Sequence, residues 1–233
     1  MIAILRREIK GLFSCLTGFL FFGCFVALTG VWMLVYNFYY GYTGFEYSLA
    51  MINVTLALML HLITVPLFAQ ERREGVARFW RMLPISVPQL VLGKYLITLF
   101  ALLILTVALA LCPLILGVYG AVSMGTAYSG LLAFFLMGWA WVSIDVFLSL
   151  MLENKVAIWA VSYGVPVAAI AMGYLAKLIP GVAGDAVSYF SIFGAYTPFL
   201  YGLLDVRSLV LWCSIAIVFT VLTAIYAERV EKA

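Results

Sequence analysis

The sequence predicts an all-α integral membrane protein, a single domain over residues 1–233 folded as a bundle of six membrane-spanning helices. Three observations carry that class. First, 67% of the 233 residues are hydrophobic and 10% are charged, whereas a soluble domain is nearer half apolar and a quarter charged. Second, the apolar residues come in long runs. No charge occurs from Gly11 to Phe45, nor from Tyr95 to Ile144, and about 20 helical residues cross a hydrocarbon core. Third, the cations are placed unevenly. With six spans and the N-terminus inside, eleven of the 13 Lys and Arg residues fall on the inner side, leaving Lys177 and Arg207 outside. Such a bias predicts cytoplasmic N- and C-termini in a cell (inner or plasma) membrane.

The elements follow in order. Ile2, Leu5 and Ile9 share helical spacing among Arg6, Arg7, Glu8 and Lys10. That pattern predicts an interfacial helix over residues 1–11, lying on the membrane surface. The apolar run behind it is too long for the core of a signal peptide and reads as a retained first span, Leu12 to Tyr36. A tyrosine-rich outer loop containing Tyr39, Tyr40 and Tyr42 suits an interfacial belt. The second span is Tyr47 to Ala69. The uncharged run after Tyr95 is long enough for two spans, Leu90 to Leu116 and Ala127 to Leu150. Gly117, Gly120, Ser123, Gly125 and Thr126 supply the turn between them. After the polar turn Glu153-Asn154-Lys155, the fifth span is Val156 to Leu178. Its Gly164, Ala168, Ala169 and Gly173 suggest close helix packing. Residues 180–207 lack charge from Ala186 to Leu204 but carry Ser188, Ser191, Gly194, Thr197 and Pro198. They read as short re-entrant helices dipping into the outer leaflet rather than as a seventh span. Ser208 to Ala227 is the last span.

The four cysteines, Cys15, Cys24, Cys112 and Cys213, sit in apolar runs with no close C-x-x-C pair. They read as small buried hydrophobes rather than a metal site or a disulfide frame. One histidine cannot make a histidine-rich metal site.

The densest charge lies between the second and third spans, in FAQERREGVARFWRMLPIS, residues 68–86. On a helix over 71–84, Val76, Phe79, Trp80 and Leu83 form one apolar stripe. Glu74, Arg78 and Arg81 fall on another face, and Pro84 ends the helix. An anionic lipid surface would repel Glu71 and Glu74. A mixed-sign helix held between two spans suits docking to a protein, where paired charges set register.

This stretch resembles the segment between the second and third spans of type-2 ATP-binding-cassette (ABC) permeases. The matching residues are Glu71, Arg73, Gly75, the turn Leu83-Pro84-Ile85-Ser86 and Val91-Leu92-Gly93-Lys94. Val76-Ala77-Arg78 stands where that family has Thr-Leu-Glu. Tyr189 to Trp212 is similar to the corresponding region of the gliding-motility-type branch, through Gly202-Leu203-Leu204-Asp205 and Arg207, with Ile192 where the branch often has proline. The layout resembles the family over nearly the whole chain, the specific motifs over about a fifth.

The resemblance implies an exporter's transmembrane subunit. It would pair with itself or with a sister permease and bind two separate cytoplasmic ABC ATPase subunits. Residues 71–84 would be the coupling helix seated in the ATPase. Glu71, Arg73, Gly75, Pro84 and Ser86 match the motif, with Arg72, Glu74, Arg78 and Arg81 as neighbouring contacts. No cofactor is expected in this chain, since ATP and Mg would sit on the partners. The Gly93-Lys94 pair has Pro88 where a P-loop's first glycine belongs and Tyr95 where its Ser or Thr belongs. Membrane lipid is the other expected contact, and a nucleic-acid partner is not expected.

Three intramembrane polar residues stand out: Asn53, His61 and Asp145. A charge at span depth costs roughly 2.5–3.5 kcal/mol or more, so Asp145 is expected to face the interior or water. A basic or hydroxyl partner near the inner mouth is expected for it, His61 among the candidates. Gluing helices together is the competing role. Asp145 is the one clear intramembrane aspartate, which argues against an aspartyl intramembrane protease. An ATP-independent secondary carrier or channel is the alternative function.

Overall fold

The computed structural model describes residues 16–65, 87–120, 122–152, 154–178, 181 and 191–232. Every regular element among them is helical. The first helix, α1, is Leu16–Met33, continued by a π-helical turn, Leu34–Tyr39. α2 starts at Glu46 and, past a local turn at Leu60, completes a span of Glu46–Val65. α3 is Val87–Leu109 and α4 is Leu111–Tyr119. α5 is Met124–Met151 and α6 is Lys155–Leu178. A 3-10 turn, Gly194–Tyr196, leads into the short α7, Thr197–Leu200, and then into the long α8, Val206–Lys232. Six of these helical stretches are long and apolar enough to cross a membrane. The chain is an integral, multi-pass membrane protein. The expected helices over 1–11 and 71–84 lie outside the described residues, as do residues 180 and 182–190 of the expected re-entrant segment.

The third span is two helices because of its proline. Pro113 has no N–H to give the carbonyl of Leu109, and its ring crowds that carbonyl. The helix breaks at Ala110, between α3 and α4. The turn after it is shorter than the sequence suggests. Gly117 is helical in α4, which ends at Tyr119, and Gly125 and Thr126 are helical in α5, which starts at Met124. In lipid, every unbonded backbone group costs several kcal/mol, which keeps glycine inside a helix that water would let it end.

α5 is the axis of the bundle. More than half of its residues are buried, including Gly130, Ala133, Gly138 and Ala140. These small residues let the neighbouring helices approach closely. A Cβ on Gly138 would stand 2.7 Å from Cδ1 of Leu102 and 3.1 Å from Cδ2 of Leu56. Gly138 thus keeps the second and third spans against the fourth. α8 packs along α5 and also against the third span, with Phe147 and Phe219 ring centroids 5.6 Å apart. The short segment 194–200 is tied to α5 as well. Tyr196 Oη donates to the Gly130 carbonyl at 3.1 Å, and Ser129 Oγ donates to the Phe199 carbonyl at 2.9 Å. Tyr196 and Phe199 are buried, and both rings stand against Trp212. Gly202 then turns the chain with φ +80°, a left-handed backbone that glycine adopts without strain.

Asp205 caps α8. Its Oδ1 accepts from the Arg207 N–H at 3.3 Å and its Oδ2 from Ser208 Oγ at 2.6 Å. The Ser208 hydroxyl, helped by the backbone N–H groups of Arg207 and Ser208 and the Arg207 charge, holds this carboxyl below the usual aspartate range.

The outward faces are apolar. Val118 is 82% exposed and Phe19 70%, surface that suits acyl chains and would drive aggregation in water. This corrects the expectation of buried cysteines for three of the four: Cys24 is exposed, Cys112 and Cys213 are half-buried, and Cys15 lies outside the described residues. In lipid an apolar residue has no need of the interior. The fifth span is likewise peripheral. Gly164 and Ala168 face open space, while Ala169 packs against the core and a Cβ on Gly173 would meet Ser191 Oγ at 3.1 Å. At one end of the bundle, Tyr36, Tyr40, Tyr42 and Tyr47 form one cluster, with Tyr42 and Tyr47 stacked at 4.6 Å. Asn37 pins their loop by donating to the Tyr42 and Gly44 carbonyls, each at 2.8 Å.

Candidate functional site: polar junctions around the fourth span

The second and fourth spans run parallel, and two polar contacts join them in one register. Asn53 Nδ2 lies 3.4 Å from Met137 Sδ. His61 Nδ1 lies 2.6 Å from Asp145 Oδ2. Each pair is separated by 84 residues. The structure therefore brings all three intramembrane candidates onto the same helix seam. Asp145 and His61 form one buried pair at 1% and 0% exposure. Thr64, one helical turn beyond Leu60, also reaches Asp145 Oδ2, at 3.2 Å, and the Leu60 carbonyl, at 3.3 Å. Its single proton serves one of them at a time. On the fifth span, Tyr163 sets its ring against His61 at 5.1 Å and 70°, and Trp159 stacks on Tyr163 at 5.8 Å.

A second junction joins the third, fourth and sixth spans at one phenolic oxygen. Tyr95 Oη is 2.9 Å from Ser143 Oγ and 3.0 Å from Thr220 Oγ1, and it accepts a short hydrogen bond from Trp139 Nε1. Trp139 donates to Tyr95, Tyr95 donates to Ser143, and Ser143 donates to the Trp139 carbonyl at 2.9 Å; the single proton of Thr220 serves Tyr95 or the Ala216 carbonyl, 2.6 Å away, one at a time. Sequence reading misses this node. Tyrosine, serine and threonine are neutral and common in spans, and the helical period of Trp139 and Ser143 is the one trace it leaves.

The two junctions meet on α5. Ser143 and Asp145 are two residues apart, so they point to different sides of one helix. One grips the third span and the other the second. The charged stretch 68–86 lies between those spans. Its residues Glu71, Arg72, Arg73, Glu74, Gly75, Arg78, Arg81, Pro84 and Ser86 lie outside the described residues. Lys94, seven residues past Val87, is a buried cation, and Thr98 donates to its carbonyl at 3.1 Å.

Several buried polar atoms on these helices have no hydrogen-bond partner: Asn53 Oδ1, His61 Nε2, Ser149 Oγ and Ser162 Oγ among them. Orphans of this kind are rare in folded proteins, and each calls for a reason. Among the described residues no group of three or more His, Cys, Asp or Glu stands placed to hold a metal ion. No protein-family model matches the chain, and no curated protein matches it in sequence.

Proposed function

We propose that this chain is the transmembrane subunit of an ATP-driven exporter of the type-2 ABC class. It forms the substrate pathway with a second permease subunit and is driven by two cytoplasmic ATPase subunits. The observation that carries the reading is the 71–84 stretch: Glu71, Arg73, Gly75 and the Pro84-Ile85-Ser86 turn, set between the second and third spans. In this reading residues 1–11 brace the bundle at the inner surface, and the short helices over 194–200 dip into the outer leaflet. Both termini are cytoplasmic. The packing supports such a role, because the spans on either side of the stretch are each hydrogen-bonded to the same two-turn region of α5. A displacement of 71–84 has a polar route into the bundle core by either span.

Copurification tests it. Tagged chain expressed in its native host brings down a cassette ATPase, and Glu71→Arg with Gly75→Pro abolishes capture while membrane insertion is unchanged. A chain that transports alone, without ATP, refutes the reading. An ATP-independent carrier is the second reading, and the buried His61–Asp145 pair is what favours it.

A further inference from the structure

Three of the unpartnered buried atoms lie on three neighbouring helices, the second, fourth and fifth spans. His61 Nε2 belongs to the imidazole whose Nδ1 is held by Asp145. Ser149 is four residues past Asp145 and shares its face of α5. Ser162 precedes Tyr163, the residue in ring contact with His61. Ser149, Ser162 and His61 are each fully buried. A serine or threonine hydroxyl in a span ordinarily bonds the carbonyl one turn back, as Ser143, Thr55, Thr98, Thr106 and Thr223 do here. Ser149 and Ser162 do not, which leaves their oxygens free for something else.

The chemistry of the set selects a ligand. In the tautomer that donates from Nδ1 to Asp145, the His61 Nε2 is a lone-pair acceptor. Two hydroxyl oxygens add acceptors, and the carboxylate adds negative charge. Tyr163 and Trp159 offer stacked aromatic faces, which attract cations within about 6 Å. A group with several N–H donors and a positive charge matches the acceptors, the carboxylate and the aromatic faces together, whereas an anion finds donors in the two hydroxyls but meets the Asp145 carboxylate.

Access is lateral. The fifth span has the second and fourth spans as its main neighbours. Most of its other surface is exposed, including Val161, Val167, Met172 and Leu175. Pro166 leaves the Ser162 carbonyl without its helical N–H and makes the span easy to bend there. A bend at that point lifts Tyr163 off His61 and opens the junction toward the acyl chains.

We propose that the junction of the second, fourth and fifth spans binds the primary ammonium head of a lipid-soluble amine. That this amine is also the exported substrate rests on the exporter reading; the binding itself does not.

The test uses the full chain in phosphatidylcholine nanodiscs and three amphiphiles with one tail: n-decylammonium, n-decyltrimethylammonium and n-decyl sulfate. Binding is read by calorimetry against empty nanodiscs. Decylammonium binds saturably, one per chain, and about tenfold tighter than the trimethyl form, which lacks N–H donors. The sulfate shows partition only. Asp145→Asn weakens decylammonium binding by about tenfold or more, and Ser162→Ala weakens it several-fold. Should Asp145→Asn fail to fold, Ser162→Ala on the peripheral span decides alone. Equal binding of all three heads, or full affinity in Ser162→Ala, overturns the site. Ammonium binding without ATPase capture sinks the exporter reading and leaves the site standing. ATPase capture without ammonium binding does the reverse.

Discussion

Replacing Tyr95 with phenylalanine removes one oxygen and little volume, yet that oxygen ties three spans. Tyr95 Oη contacts Ser143, Thr220 and Trp139. Inter-helix hydrogen bonds in membranes average about 0.6 kcal/mol each, with a maximum near 1.7. Three such contacts predict a loss of about 2 kcal/mol for Tyr95→Phe, close to a 30-fold change in the unfolding equilibrium. The assay is reversible unfolding of the purified chain in bicelles with added denaturing detergent, followed by tryptophan fluorescence. Thr220→Val takes away one of the three contacts, so it costs less than Tyr95→Phe. The double variant is no worse than Tyr95→Phe alone, since the partner is already gone. A Tyr95→Phe loss below about 0.5 kcal/mol, or strict additivity with Thr220→Val, refutes the argument that this oxygen holds the spans together.

Gly138→Leu drives a branched side chain into the space of Leu102 and Leu56. It is expected to separate the second and third spans from α5 and cost at least about 1–3 kcal/mol. The same unfolding assay checks it, with exposed Gly164→Leu as a neutral control. Asp205 predicts an acid dependence. Its folded carboxyl titrates below the ordinary aspartate range, so its contribution is complete above about pH 4. That contribution fades as the pH falls through the lower folded value. Asp205→Asn keeps a capping oxygen but removes the titration, so thermal midpoints measured from pH 6 down to pH 3 fall less steeply than in the parent chain.

The apolar runs made the six spans legible, because lipid demands length and apolarity from every crossing helix and little else. What those runs leave out is which face turns inward. Cys24 and Gly164 illustrate this: both looked like packing residues, and both face outward, since the same apolar chemistry serves core and lipid. The break at Ala110 follows from Pro113 and was open to reading. The persistence of helix through Gly117 was not, because glycine's habits in water mislead in a solvent that offers no hydrogen bonds. At the site, ionisable residues were conspicuous by cost alone, so Asp145 and His61 could be marked in advance. Tyr95, Ser143 and Thr220 are neutral and carry no such cost. Their meeting depends on the mutual rotation of three helices, which no local pattern encodes.

The shared offset of 84 residues between Asn53 and Met137, and between His61 and Asp145, has a mechanical consequence. The two contacts stand eight residues apart on each helix, about 12 Å along the axis at ~1.5 Å per residue. They act like two teeth of a rack. Sliding the second span along the fourth disengages both together, whereas tilting or turning the two spans as one body strains neither. Motion at this seam is therefore channelled into rigid rotation of a two-helix unit, and the freedom to slide or bend is left to the Pro166-bearing span beside it.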